Sequence, residues 1–282
     1  ARFHAPGSSV AEVSSAEDGT EKLLIELFDG ESVEMVLIPS EERLTFCLST
    51  QVGCPVQCRF CASGRDGLVR NLSAGEDIEE FLLGSERAGR RPDNLVFMGI
   101  GEGLLNYNEL VKALVLLSSP DEFGMSPRRI TVSTSGYVPG ILKFAELERE
   151  FNLAISLHAP DDATRSKLIP PPFCYPVAEI MAAADRYREL AGRMVTLEYT
   201  LLKGVNDSIP TARKLAALAR SHHAKVNLIP YNATDTEFQR PERRVIEAFA
   251  RTVEEEGAHV TVRVERGAES TAACGQLRRQ EG

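Results

Sequence analysis

Short apolar runs rich in β-branched residues alternate along this chain with stretches of helical periodicity. Residues 95–98, 129–134, 153–157, 194–200, 225–229 and 259–264 each read as a strand. Over residues 177–190, Val177, Ile180, Met181 and Ala184 recur at helical spacing, and Val245, Phe249 and Val253 form an i, i+4, i+8 stripe ended by Gly257. Both stripes read as core faces. Strands that alternate with helices argue for parallel strands joined by helical crossovers. Upstream, residues 22–28, 33–38 and 44–48 read as a small antiparallel meander with a hairpin turn at Asp29-Gly30. No repeat or low-complexity segment interrupts this order.

The polar motifs fall in a consistent place on that pattern. Residues 99–102, 134–136, 156–158, 230–232 and 266–274 each lie at or just after the C-terminal end of an expected strand, where barrel enzymes put their active sites. With 282 residues and 43% hydrophobic content the chain can bury a large core, and one large domain is favoured over two small ones. The first twenty residues hold no apolar run and no window approaches a membrane span, so a cytoplasmic location without membrane contact is expected. A net charge of −9 runs against an extensive phosphate-binding surface. Arginines nevertheless gather at Arg59, Arg65 and Arg70, at Arg128 and Arg129, and at Arg263, Arg266, Arg278 and Arg279.

Half of the six cysteines lie close together. Cys54, Cys58 and Cys61 stand as C-x3-C-x2-C in Gly53-Cys-Pro-Val-Gln-Cys-Arg-Phe-Cys61. Three such thiolates on a four-iron cluster leave one iron open to a small molecule. Tetrahedral zinc would call for a fourth Cys or His at a recognisable spacing, and the nearest histidine downstream is His158. A disulfide fits a small stapled scaffold better than a chain of this size.

The cysteine motif, with Phe60 before its last member, resembles that of the radical S-adenosylmethionine (SAM) superfamily. Further segments follow in order: Cys47-Leu-Ser-Thr-Gln-Val-Gly-Cys54, Phe97-Met-Gly-Ile-Gly-Glu102, Ser133-Thr-Ser-Gly136, Ala154-Ile-Ser-Leu-His-Ala-Pro160, Asn227-Leu-Ile-Pro-Tyr-Asn232 and Ala272-Ala-Cys-Gly-Gln-Leu277. Together they resemble the RlmN/Cfr family of RNA adenine methyltransferases, from about Glu34 to Leu277, and the RlmN branch in particular. The resemblance implies an α/β fold, a partial (β/α)6 TIM-like barrel of the radical SAM type. A small N-terminal β extension would occupy residues 1–45 and the radical SAM core, with its C-terminal catalytic-cysteine segment, residues 46–282. Family members usually carry an N-terminal helical accessory domain. A chain without that domain is expected here, either trimmed or a short paralogue.

What the resemblance implies for the site is specific. Cys54, Cys58 and Cys61 would hold a [4Fe-4S] cluster, and Gly101, Glu102, Ser133, Ser156, the Leu157 backbone, His158 and Asn232 would contact SAM. A carboxylate at Glu102 suits the SAM ammonium. The chain departs from the family with Ile100 between the glycines and with Gly103 where proline is usual. Two SAM molecules would be used per turnover: one methylates Cys274, and the other yields a 5′-deoxyadenosyl radical that takes hydrogen from that methyl group. The carbon radical then joins adenine, Glu34 acts as general base, and Cys47 attacks the Cys274 sulfur to release product with transient disulfide formation. Met98 matches a methionine near that cysteine pair; Cys174 has no counterpart.

The implied substrates are large-subunit ribosomal RNA and, in the RlmN branch, some transfer RNAs, with adenine C2 favoured over C8. An electron donor such as flavodoxin or ferredoxin and a monomeric enzyme are expected. Two other readings stand beside this one: a radical SAM enzyme acting on a peptide or small molecule, and a non-catalytic zinc-stapled RNA-binding module.

Overall fold

The structure is a computed structural model that describes residues 7–234, 236–263, 267, 271–273 and 275–277. The chain forms two compact units. The first comprises Ala1–Pro55, Ala62–Thr131 and Arg266–Gly282; the second comprises Val56–Cys61 and Val132–Glu265.

The first unit holds strands β1 (Ser9–Ser15), β2 (Glu21–Glu26), β3 (Ser32–Pro39), β4 (Leu44–Leu48), β5 (Gln51–Gly53), β6 (Leu68–Asn71) and β7 (Asn94–Phe97), with helices α1 (Ala74–Ala88) and α2 (Tyr107–Ser118). Strands β1 to β4 follow one another antiparallel, and β7 pairs with β4 in parallel. The meander therefore has one strand more than its hydrophobic pattern predicts. Strand β1 is largely exposed and carries no apolar alternation, so only its pairing with β2 reveals it. Residues 27–31 close the β2–β3 hairpin, with Gly30 at φ 84°, which confirms the turn expected at Asp29-Gly30. Strands β1 to β3 continue into the same sheet as β4, and the units do not divide at residue 45.

Helix α1 starts on a capping box, Ser73 with Glu76, and ends on Gly89 in the left-handed region at φ 66°. Its Gly84 faces β3 and β4, where an added Cβ would lie 2.6 Å from Met35 Cε and 2.9 Å from Phe46 Cε2. Both faces of β3 are consequently covered, and Val33 to Leu37 are all buried.

The chain passes into the second unit within β8 (Ile130–Thr134). There follow α3 (Val138–Ala145), β9 (Asn152–Ser156), α4 (Asp162–Arg165), α5 (Val177–Ala191), β10 (Thr196–Leu201), α6 (Ile209–Ser221), β11 (Lys225–Pro230), α7 (Arg243–Glu255) and β12 (Val260–Val262). Strands β9, β10, β11 and β12 are successive parallel neighbours joined by helices, as the alternating pattern requires. Of the expected α7 stripe Phe249 and Val253 are buried, whereas Val245 is half-exposed and its neighbour Ile246 is buried in its place. No helix among the described residues is long and apolar enough to cross a membrane.

Candidate active site

In the first unit, Val36 of β3 stands opposite Cys47 of β4, and Glu34 lies two residues along on the same face. Cys47 is buried in an apolar cluster with Val36, Ile100, Ala272 and Leu277, against which Ile38, Val96 and Met98 pack. Position 274 itself lies outside the described residues, but residues that follow it are tied down. The Ala62 N–H donates to the Gly275 carbonyl at 2.8 Å, and the Ser63 hydroxyl donates to the Leu277 carbonyl at 2.6 Å. Cys47, Met98 and the segment that carries Cys274 thus meet in one buried cluster.

Glu34 alternates with apolar residues, which alone would make it a solvent-facing carboxylate. The structure gives a different environment, with Glu34 at 0% exposure. Its Oε1 is 2.8 Å from Nζ of Lys22, itself only 7% exposed, and the same ammonium donates to Thr271 Oγ1 at 2.7 Å. A buried carboxylate requires such compensation.

The loop after β7 is stitched to the residues that follow β4. Ile100 is fully buried; its N–H donates to Ser49 Oγ at 2.9 Å, and its carbonyl accepts from the Thr50 N–H at 2.8 Å. The Glu102 N–H donates to Gln51 Oε1 at 2.8 Å. Gly101 has φ 114°, and a Cβ there would lie 2.7 Å from Thr50 Oγ1. These contacts hold the loop despite its departures at Ile100 and Gly103. Gly103 opens a 3-10 turn, Gly103–Asn106, whose Leu104 N–H donates to Glu102 Oε1 at 3.3 Å. Glu102 is 3% exposed. Ser49, Thr50 and Gln51 belong to a motif visible in the sequence, yet their service to a loop fifty residues away leaves no local signature.

Two buried acids stand behind this loop. The Ser49 N–H donates to Glu80 Oε2 at 3.1 Å, and Asp77 lies one helical turn before Glu80 on α1. Burial, and for each acid the charge of acidic neighbours, push both carboxyls well above the usual carboxylate range.

Cys54 belongs to the first unit, where its N–H donates to the Gly67 carbonyl at 2.9 Å; Cys58 and Cys61 belong to the second, where the Cys61 N–H donates to the Cys58 carbonyl at 3.0 Å. All three are half-buried, and they, like the buried Cys47 and the half-buried Cys174, lie outside any disulfide. Among the described residues no group of three or more His, Cys, Asp and Glu side chains surrounds a point where one metal ion would sit. Thiolates that each take a different iron of a four-iron cluster need no common centre. Three partly accessible thiols within eight residues are the donor chemistry such a cluster requires.

The second unit carries the remaining expected contacts at its strand ends. Ser133 of β8 and Ser156 of β9 are half-buried, while Leu157, His158 and Asn232 are buried. His158 has φ 58°, a strained value for a non-glycine residue. Its Nδ1 accepts from the Thr200 N–H at 3.0 Å, its carbonyl accepts from Asn206 Nδ2 at 2.8 Å, and its ring meets Phe60 edge-on at 4.7 Å. Burial, helped by the nearby Arg165 charge, lowers its pKa to about 3, so the imidazole is neutral with its proton on Nε2. Phe60, the aromatic of the cysteine motif, thereby connects Cys58 and Cys61 to the β9 end.

Arg165 is the residue that sequence reasoning missed here. Its guanidinium is fully buried and donates to the carbonyls of Leu157 at 2.6 Å, Ser156 at 3.2 Å and Ser135. Gly136 makes room for it, since a Cβ there would lie 2.9 Å from Nη2. Buried arginines are rare enough that composition gives no warning.

Among the arginines that gather near the motifs, Arg70 is already committed. It pairs with Asp29 at 2.7 Å and with Glu76 at 2.8 Å. Arg59, Arg65, Arg128 and Arg129 are exposed; Arg266, Arg278 and Arg279 lie outside the described residues.

Residues 48–216 match the family model of the Radical SAM superfamily. The chain belongs to that superfamily: it is a radical SAM enzyme whose fold is the superfamily's partial TIM-like barrel. A Synechococcus protein (strain RCC307) named "Probable dual-specificity RNA methyltransferase RlmN" is 47% identical over 272 residues, covering 94% of this chain and 78% of its own. A Gloeobacter violaceus protein of the same name is 46% identical over 275 residues, covering 97% and 78%. The crystal structure of a radical SAM methyltransferase from Sphaerobacter thermophilus is 43% identical and superposes with a TM-score of 0.92, covering 96% of this chain and 81% of that one. Within the superfamily, then, the chain is a methyltransferase of the RlmN family, and the superfamily implies a [4Fe-4S] cluster and SAM.

Proposed function

We propose that this enzyme methylates a ring carbon of adenine in RNA, C2 rather than C8, with Cys274 as the methyl carrier, on large-subunit ribosomal RNA and transfer RNA. The observation that carries the reading is the buried cluster in which Cys47 and Met98 pack against the two residues, Ala272 and Leu277, that bracket position 274. The names of the relatives supply the substrate class.

Cys54, Cys58 and Cys61 would hold the cluster, with Glu102, Gly101 and the β8, β9 and β11 ends, at Ser133, Ser156, Leu157, His158 and Asn232, receiving SAM. Bound there, cluster and SAM supply a 5′-deoxyadenosyl radical by reductive cleavage. The remaining steps fall to side chains. Glu34, shielded from water, takes the ring proton of the adenine joined to Cys274. Cys47 then attacks the Cys274 sulfur; the sulfur–carbon bond breaks as the disulfide forms, and the methylene left on adenine takes up a proton to become the methyl group. Two SAM molecules are consumed, one for the methyl group and one for the radical, and the electron comes from a small redox protein such as flavodoxin or ferredoxin. The enzyme works as a monomer.

Mass analysis of nucleosides from RNA incubated with the reconstituted enzyme tests this reading. The expected product is 2-methyladenosine. Methylation at C8 would refute the choice of carbon, and unmodified RNA from an enzyme that still cleaves SAM would point to a peptide or small-molecule substrate.

A further inference from the structure

Lys22 is an unusual core residue. It lies on β2 opposite Val36, one diagonal step from Glu34, and only 7% of it is exposed. Lysine is almost never this buried without a partner. Here the ammonium has two, at 2.8 Å from Glu34 Oε1 and 2.7 Å from Thr271 Oγ1, so that it bridges the carboxylate and a residue three positions before Cys274. The segment is further restrained beside that bridge, because the Gly267 N–H donates to Asp18 Oδ2 at 3.1 Å and the Ala272 N–H donates to the Gly267 carbonyl at 2.8 Å.

A buried ion pair is weak support for a fold, because an apolar pair of similar volume does as well or better. The pair therefore calls for a reason other than stability, and the second bond to Thr271 supplies one. We propose that Lys22 is a positioning residue for the reaction: it fixes the Glu34 carboxylate and the Cys274-bearing segment to one another, so that the base lies within reach of the adenine carried on that cysteine. A side chain that lies against Glu34 and also grips Thr271 sets where the base points. This inference rests on the proposed roles of Glu34 and Cys274.

The test follows single steps in the reconstituted full-length enzyme with an RNA substrate. Three quantities are read: 5′-deoxyadenosine formed, methylation of Cys274 by peptide mass, and the fraction of protein that stays joined to RNA on a denaturing gel. In Lys22→Met the first two should match the unaltered enzyme, while resolution of the covalent adduct slows by ~10²-fold or more, the scale of general-base catalysis. Lys22→Arg, which keeps the charge, should recover part of the release rate. Thr271→Val leaves the ion pair intact and removes only the second bond; it should slow release by a smaller factor and spare the earlier steps.

The outcomes separate the two levels of the argument. If Glu34→Gln traps the adduct but Lys22→Met and Thr271→Val release product normally, the role of Lys22 is overturned and the base assignment stands. If Glu34→Gln itself releases product normally, the base assignment fails first. If Lys22→Met loses cysteine methylation, SAM cleavage and release in equal measure, and Lys22→Arg does not separate them, the lysine is only a structural tie.

Discussion

The two units bury charge beside their functional residues in opposite ways. The first uses side chain against side chain, Lys22 on Glu34, and also buries two acids of α1, Asp77 and Glu80, whose carboxyls burial pushes well above the usual carboxylate range. The second uses side chain against backbone: the Arg165 guanidinium on three strand-end carbonyls, and a neutral His158 held by the Thr200 N–H. In the proposed mechanism the difference reflects what each region holds. Proton and thiol chemistry requires groups of set protonation state at a set distance. A cofactor crossing the ends of parallel strands requires the strand ends themselves to be fixed, and a planar five-donor group is suited to that.

The largest expected effect lies outside both devices. Cys58→Ala should abolish iron loading and SAM cleavage, because the ligand is a thiolate; iron at four atoms per chain in that variant would defeat the cluster assignment. Next comes Arg165→Met, which strands the buried carbonyls of Leu157 and Ser135 at ~1–3 kcal/mol each. Thermal unfolding should show a loss of several kcal/mol together with weakened SAM binding. A melting temperature within a degree of the parent would mean that the carbonyls find other donors.

Glu102→Ala should weaken SAM binding by roughly 10- to 100-fold, the ~1.5–3 kcal/mol of a charge-assisted hydrogen bond, while iron content is unchanged. Equal SAM affinity measured by calorimetry would reject its role.

The smallest effect concerns pH and separates the units by sign. Glu80 is raised, so it favours the folded state below its usual range, and that contribution is lost as pH rises. His158 is depressed from 6.5 to about 3, so its contribution is present above pH 6.5 and lost as pH falls toward 3. Glu80→Gln, which keeps an acceptor for the Ser49 N–H, should gain ~1 kcal/mol at alkaline pH and flatten only that limb of the stability profile. His158→Gln should flatten only the acid limb. A change in the opposite limb in either variant would contradict the assignment of charge to these groups.

The strands and the cysteine motif were legible because each is a local pattern, readable from period two or from spacing. The strands around residues 95, 153 and 225 were found to within a residue or two for that reason. Strand β1 was not legible, because an exposed edge strand needs no apolar face, nor was the short β5–β6 pair. The environment of Glu34 was misleading for a related reason: alternation marks the two faces of a strand but not whether a second layer covers the polar one. Lys22 and Arg165 escaped notice because the partners that justify their burial lie far off in sequence or on the backbone, which presents no side chain to read.

The account turns on whether Cys47 resolves an adduct carried by Cys274. Cys47→Ala should still be methylated at Cys274 and still couple to adenine, so protein should accumulate bound to RNA through denaturing electrophoresis. That band should vanish on ribonuclease digestion and in the double variant Cys47→Ala with Cys274→Ala. If Cys47→Ala instead turns over and releases methylated RNA at the rate of the unaltered enzyme, Cys47 is not the resolving thiol and the proposed mechanism is wrong.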